Sequence, residues 1–167
     1  FGFVFAKEYK APFYKIYTSM ALKDDITAGE SYFVSEIKSL KRILDEVNND
    51  SCKILCVVDE VLRGTNTVER IAASVEILLS LAKDNVLCFL ATHDIELTEL
   101  LSDVFSNYHF TEEIKKDDVV FSYKLYEEAA NSRNAIRLLS CLGYDDEIVN
   151  NAISRADSFI KNGVWNK

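Results

Sequence analysis

Hydrophobic and polar positions alternate in two different periods along the chain, and the switches between them outline the elements. Residues 13–19 (Phe-Tyr-Lys-Ile-Tyr-Thr-Ser) alternate and are aromatic or β-branched, which predicts a strand. The polar run Asp24-Asp25-Ile26-Thr27-Ala28-Gly29-Glu30-Ser31 predicts a loop. From about Tyr32 to Val47 the apolar residues Phe33, Ile37, Leu40 and Leu44 fall at helical spacing, and Asn48-Asn49-Asp50 ends the helix. Lys53 to Val58 is a short continuous apolar run, the pattern of a strand buried on both faces of a parallel sheet. After the loop Leu62-Arg63-Gly64-Thr65-Asn66-Thr67, Thr65 or Asn66 is placed to cap a helix running to about Lys83. Asn85 to Ala91 is a second buried strand, and a helix over about Ile95 to Leu101 follows it. Residues 104–110 and 119–126 alternate on either side of a polar stretch, Glu112 to Asp118, which predicts an antiparallel pair. Two helices fill about 134–160, the first ended by Gly143 and the second begun by Tyr144-Asp145-Asp146. This order predicts a single α/β domain with a mainly parallel sheet flanked by helices, an antiparallel strand pair and C-terminal helices.

Composition narrows the functional classes. Of the 167 residues 49% are hydrophobic, enough for a packed core. Nineteen Lys and Arg against 27 Asp and Glu leave a formal charge of −8, so these residues are poorly suited to wrapping nucleic acid by themselves. No apolar run approaches the roughly 18 residues of a spanning helix, and no secretory leader opens the chain, which predicts no membrane partner. Cys52, Cys56, Cys88 and Cys141 form no Cys-x-x-Cys pair and read as reduced, buried thiols, in keeping with a cytoplasmic location. The opening Phe1-Gly2-Phe3, without Met, reads as a fragment of a longer protein.

Three segments carry candidate chemistry. Ile54-Leu55-Cys56-Val57-Val58-Asp59-Glu60 is an apolar strand ending in two acids, the Walker B pattern. There the first carboxylate serves Mg²⁺ and the second polarises a water attacking a γ-phosphate. Phe89-Leu90-Ala91-Thr92-His93 sets a histidine just past the next buried strand. One strand–helix–strand unit separates Asp59 from His93, so both reach the same sheet edge, where ligands of open α/β sheets bind. Thr27-Ala28-Gly29-Glu30-Ser31 opens a helix, and a glycine, a hydroxyl and free N–H groups there suit a phosphate. Each segment also has a plainer reading: solvated acids closing a strand, a surface histidine, a helix cap without a ligand.

Taken together, the segments resemble the C-terminal ATPase domain of the MutS family of DNA mismatch repair proteins, a P-loop NTPase-like fold of the ABC/MutS type. The matching stretches are Asp24-Asp25-Ile26-x-x-Gly29-x-Ser31-x-Phe33-x-x-Glu36-Ile37, then Asp59-Glu60-x-x-Arg63-Gly64-Thr65-x-Thr67, then Ala91-Thr92-His93-x-x-Glu96-Leu97. The resemblance runs from about Gly2 to Ser158. It implies that Asp59 serves Mg²⁺, Glu60 is the general base and His93 the switch histidine. It implies that Gly29 and Ser31, in a signature loop over about 24–33, face the nucleotide of a partner subunit. Arg63, Gly64 and Thr65, within a loop running to Thr67, would couple the two sites of a homodimer. ATP and Mg²⁺ are the implied ligands, with DNA held by other domains of the parent protein.

The departures are specific. Leu62 stands where the family usually has Gly, Asn66 where it has Ser, and Asp94 where an aromatic is common. They point to a divergent MutS-like branch. No G-x-x-x-x-G-K-[ST] occurs in the 167 residues. In the family that phosphate-binding loop lies upstream of the position of Gly2, so residues 1–167 read as a partial ATPase domain, inactive in isolation. The rival readings are an ABC-type ATPase, whose Ser-Gly-Gly signature is not found here, and a pseudo-ATPase that only dimerises.

Overall fold

The computed structural model describes residues 5–20, 32–48, 52–115, 118–130 and 134–165. These form two compact units, residues 1–106 and 107–167.

In the first unit, strands β1 (Tyr14–Ser19), β2 (Lys53–Asp59) and β3 (Val86–Ala91) make a parallel sheet in the order β1-β2-β3. Asp59 sits beside Ala91 in the β2–β3 register, so both strands end level. Helix α1 (Tyr32–Val47) joins β1 to β2, α2 (Thr67–Leu81) joins β2 to β3, and the short α3 (Ile95–Leu100) follows β3. The alternation of β2 sends Ile54, Cys56 and Val58 to one face, where they are buried with Leu40, Ile43 and Val47 of α1 and with Leu78 and Leu81 of α2. Each such aliphatic side chain contributes about 1.5–3 kcal/mol on leaving water.

The expectation of strands buried on both faces is corrected. Leu87 and Phe89 of β3 point to the other face and are exposed, Phe89 at 57%. A continuous apolar run makes two-sided burial possible, but the second cover has to come from another layer, and no described residue buries these two. The stripe of α1 is also shifted from the expected one. Glu36, Leu40, Ile43 and Val47 are buried, whereas Ile37 is exposed. Asn66, rather than Thr65, caps α2: its Oδ1 accepts the N–H of Glu69 at 3.1 Å.

In the second unit, β4 (Tyr108–Lys115) and β5 (Asp118–Glu127) form an antiparallel hairpin whose strands take up most of the polar stretch expected to separate them. Helices α4 (Ala135–Cys141) and α5 (Asp146–Asn162) follow, with Gly143 at φ 80° in the turn between them, a backbone state that favours glycine. All four cysteines are free thiols; Cys56 is buried and the other three are half-buried.

Candidate functional site at the ends of β2 and β3

The level ends of β2 and β3 bring Asp59, Glu60 and His93 to one edge. The Glu60 N–H donates to the Ala91 carbonyl at 2.8 Å and carries the pairing one residue past the strand. Glu60 then turns with φ 54° and Leu62 with φ 57°, both left-handed and both without glycine's freedom. This kinked turn places the Glu60 carboxylate between two basic side chains. Oε2 takes Arg63 Nε at 2.5 Å, and Oε1 lies 3.6 Å from His93 Nε2. Arg63 Nη2 also reaches Asp59 Oδ2 at 3.7 Å. One guanidinium therefore bridges both acids, while the His93 ring, 96% exposed, is open to a ligand on its outer side.

Two contacts hold this turn against α1. Glu36 is 2% exposed, and its Oε1 accepts the Leu62 N–H at 2.6 Å. Burial pushes the Glu36 carboxyl above its ordinary range, opposed by the N–H groups of Leu62 and Arg63 and by the Arg63 charge. Gly64 lies against Phe33: a Cβ at that position would meet the Phe33 Cβ at 2.8 Å, so only glycine fits without displacing α1. The Tyr32 phenol at the start of α1 is also pushed up, by burial first and then by the Glu36 carboxylate. A third anchor holds the histidine loop. Arg70 Nη2 of α2 pairs with Asp94 Oδ1 at 2.6 Å, and Thr92 Oγ1 accepts the Asp94 N–H at 3.1 Å.

Of the residues singled out in the sequence, Asp59, Glu60, Arg63 and His93 thus converge. Gly64 and Thr65 follow in the same loop, where Thr65 Oγ1 donates to Glu69 Oε2 at 3.0 Å. Gly29 and Ser31 lie outside the described residues. Glu36, which stands in the first matching stretch without a role of its own, and Arg70 complete the surroundings of these residues. The signal for Glu36 was an acid at helical spacing with Leu40, Ile43 and Val47, on the buried stripe itself. Arg70 carried no comparable mark.

Among the described residues no group of three or more His, Cys, Asp or Glu could hold a metal by itself. Mg²⁺ that accompanies a nucleotide keeps several waters and uses one or two carboxylates beside the phosphates. Asp59, a hard oxygen donor with 43% of its side chain exposed, fits such a role.

An Asp-Glu pair and a histidine on adjacent parallel strand ends, backed by helices, define the candidate site of an α/β domain. Its family is shown by the match of residues 2–160 to MutS domain V, the C-terminal ATPase domain. The chain belongs to the MutS family, which carries an ATPase and mismatch-repair role in general and dimerises through this domain. Among the described residues no helix is long and apolar enough to cross a membrane.

Proposed function

We propose that this domain supplies the hydrolytic half of an ATPase site, in which ATP and water become ADP and phosphate, and that the protein couples this reaction to its handling of DNA. The observation that carries the reading is the Glu60 carboxylate held between Arg63 at 2.5 Å and His93 at 3.6 Å on the edge where β2 and β3 end. Oε2 is anchored by the guanidinium, which leaves Oε1 as the oxygen that takes a proton from the attacking water. The water oxygen bonds to the γ-phosphorus as the bond to the ADP oxygen breaks. Asp59 would hold the Mg²⁺ that accompanies ATP, and that ion supplies charge neutralisation at the phosphates. His93, with its ring open to solvent, contacts the γ-phosphate and reports its loss to the Glu60 turn. Gly29 and Ser31 act at the site of the second subunit of a homodimer, and the loop from Arg63 to Thr67 couples the two sites.

These 167 residues contain no Walker A loop, so alone they are expected to hydrolyse no ATP, and their charge of −8 leaves DNA contact to other parts of the protein. The deciding experiment is Glu60→Gln in the full-length protein. It should keep ATP bound and lower turnover on the order of 10²-fold or more, the scale of a lost general base. Wild-type turnover by Glu60→Gln would remove Glu60 from the role of base, and a full-length wild-type protein that hydrolyses no ATP would leave the domain as a dimerisation module.

A further inference from the structure

The Glu60 turn is held in an unfavourable backbone state, and the group that holds it is a buried acid on another element. Glu60 and Leu62 both have left-handed φ values, each costing a non-glycine residue about 1–2 kcal/mol. Such a state persists only where the surroundings over-determine it. Here a charge-assisted hydrogen bond of 2.6 Å ties the Leu62 N–H to Glu36 Oε1, and Leu62 itself is buried. The Glu36 carboxylate is costly to keep. It is almost fully desolvated, and Oε2 has no hydrogen-bond partner. A buried acid with one oxygen unpaired stabilises the fold poorly, so stability does not account for its presence. What it does provide is an acceptor fixed on a rigid helix, and the N–H it takes, that of Leu62, is two residues from the base.

We propose that Glu36 is the positioning residue of the site. By holding the Leu62 N–H it keeps the left-handed turn that aims the Glu60 carboxylate at the water, and together with Phe33 against Gly64 it makes α1 and the Glu60 turn move as one piece. This rests on the reading of Glu60 as the base. Glu36 touches neither nucleotide nor water. Its effect falls on the chemical step and not on ATP binding.

The test uses two substitutions of nearly equal size in the full-length protein. Glu36→Gln keeps an oxygen for the Leu62 N–H. Glu36→Met fills the same space, removes the buried charge and offers no acceptor. Glu36→Met is expected to lower kcat on the order of 10–100-fold, the cost of misplacing a catalytic group by about an ångström, with KM for ATP little changed. Glu36→Gln should stay within a few-fold of wild type. Wild-type kcat in Glu36→Met overturns the proposal, as does an equal loss in both variants, which would assign the effect to the charge. Glu60→Gln measured in parallel separates the two claims. If it turns over normally, the reading of Glu60 as the base has failed, and the positioning role with it. If it is inactive while Glu36→Met is normal, only the positioning role has failed. Amide hydrogen exchange in the wild-type protein needs no variant to fold: the Leu62 amide, though in a loop, should exchange slowly, and rapid exchange overturns the hydrogen bond on which the role depends.

Discussion

Leu62 presents a conflict between backbone and side chain that can be measured. Its φ of 57° is the conformation in which glycine is at ease, and glycine is the residue the family resemblance leads one to expect there. Its side chain is 4% exposed and belongs to the core with Val58, Val61 and Leu97. Truncating such a leucine to alanine costs about 2.7–5 kcal/mol in transfer and cavity terms, and alanine keeps the Cβ that crowds the left-handed backbone. Truncation to glycine loses the same packing and adds about 0.5–1 kcal/mol of chain entropy, but recovers about 1–2 kcal/mol of strain. Burial therefore outweighs strain, and both variants are less stable than wild type. Between them the usual order is inverted, with Leu62→Gly more stable than Leu62→Ala by about 0.5–1 kcal/mol, or roughly 1–4 °C in Tm for a chain of this length. Thermal unfolding of the three proteins side by side, followed by far-ultraviolet circular dichroism, reads this directly. An alanine variant as stable as the glycine variant would refute the left-handed turn. A glycine variant more stable than wild type would show that the packing of Leu62 is worth less than its strain.

Three further outcomes are expected. Arg70 and Asp94 are each about one-fifth exposed, so a double-mutant cycle with Arg70→Ala and Asp94→Ala should give a coupling near the top of the surface range, about 1 kcal/mol, and a coupling near zero would remove the anchor of the histidine loop. Because burial raises the Glu36 carboxyl above its unfolded value, its favourable contribution is fully present below about pH 4.3 and is lost as pH rises through the raised value. Wild type should therefore lose stability relative to Glu36→Gln as pH climbs through that window, and a pH-independent difference would rule out burial as the cause. Mixed dimers of Ser31→Ala and Glu60→Gln subunits place both defects at one site and leave the other intact, so activity should recover to about half of wild type; heterodimers that form without rescue would place Ser31 outside the partner's site.

Local chemistry made most of the fold legible before any contact was known. Helix α1 from Tyr32 to Val47, β2 ending at Asp59 and a cap for α2 at Thr65 or Asn66 follow from the period of the apolar residues and the polar residues that interrupt it, forces that act within a few residues. That Asp59 and His93 reach one edge was legible as well, since one strand–helix–strand unit returns a parallel strand to it, whereas the approach of His93 to Glu60 was not. Helical period alone placed the stripe of α1 one residue off, because it cannot weigh a buried acid whose partner, the Leu62 N–H, lies 26 residues away. The same holds for Arg70 and Asp94, which sit on separate elements and meet only when α2 packs beside the end of β3. Nor did a continuous apolar strand say which of its faces would be covered, for that depends on the layer above. Sequence by itself determined which elements form and which edge carries the acids and the histidine. Tertiary structure decided how the Glu60 turn is held, because left-handed backbone at Glu60 and Leu62 is unfavourable locally and is met here by contacts from other elements, the Glu36 carboxylate on the Leu62 N–H and Phe33 against Gly64.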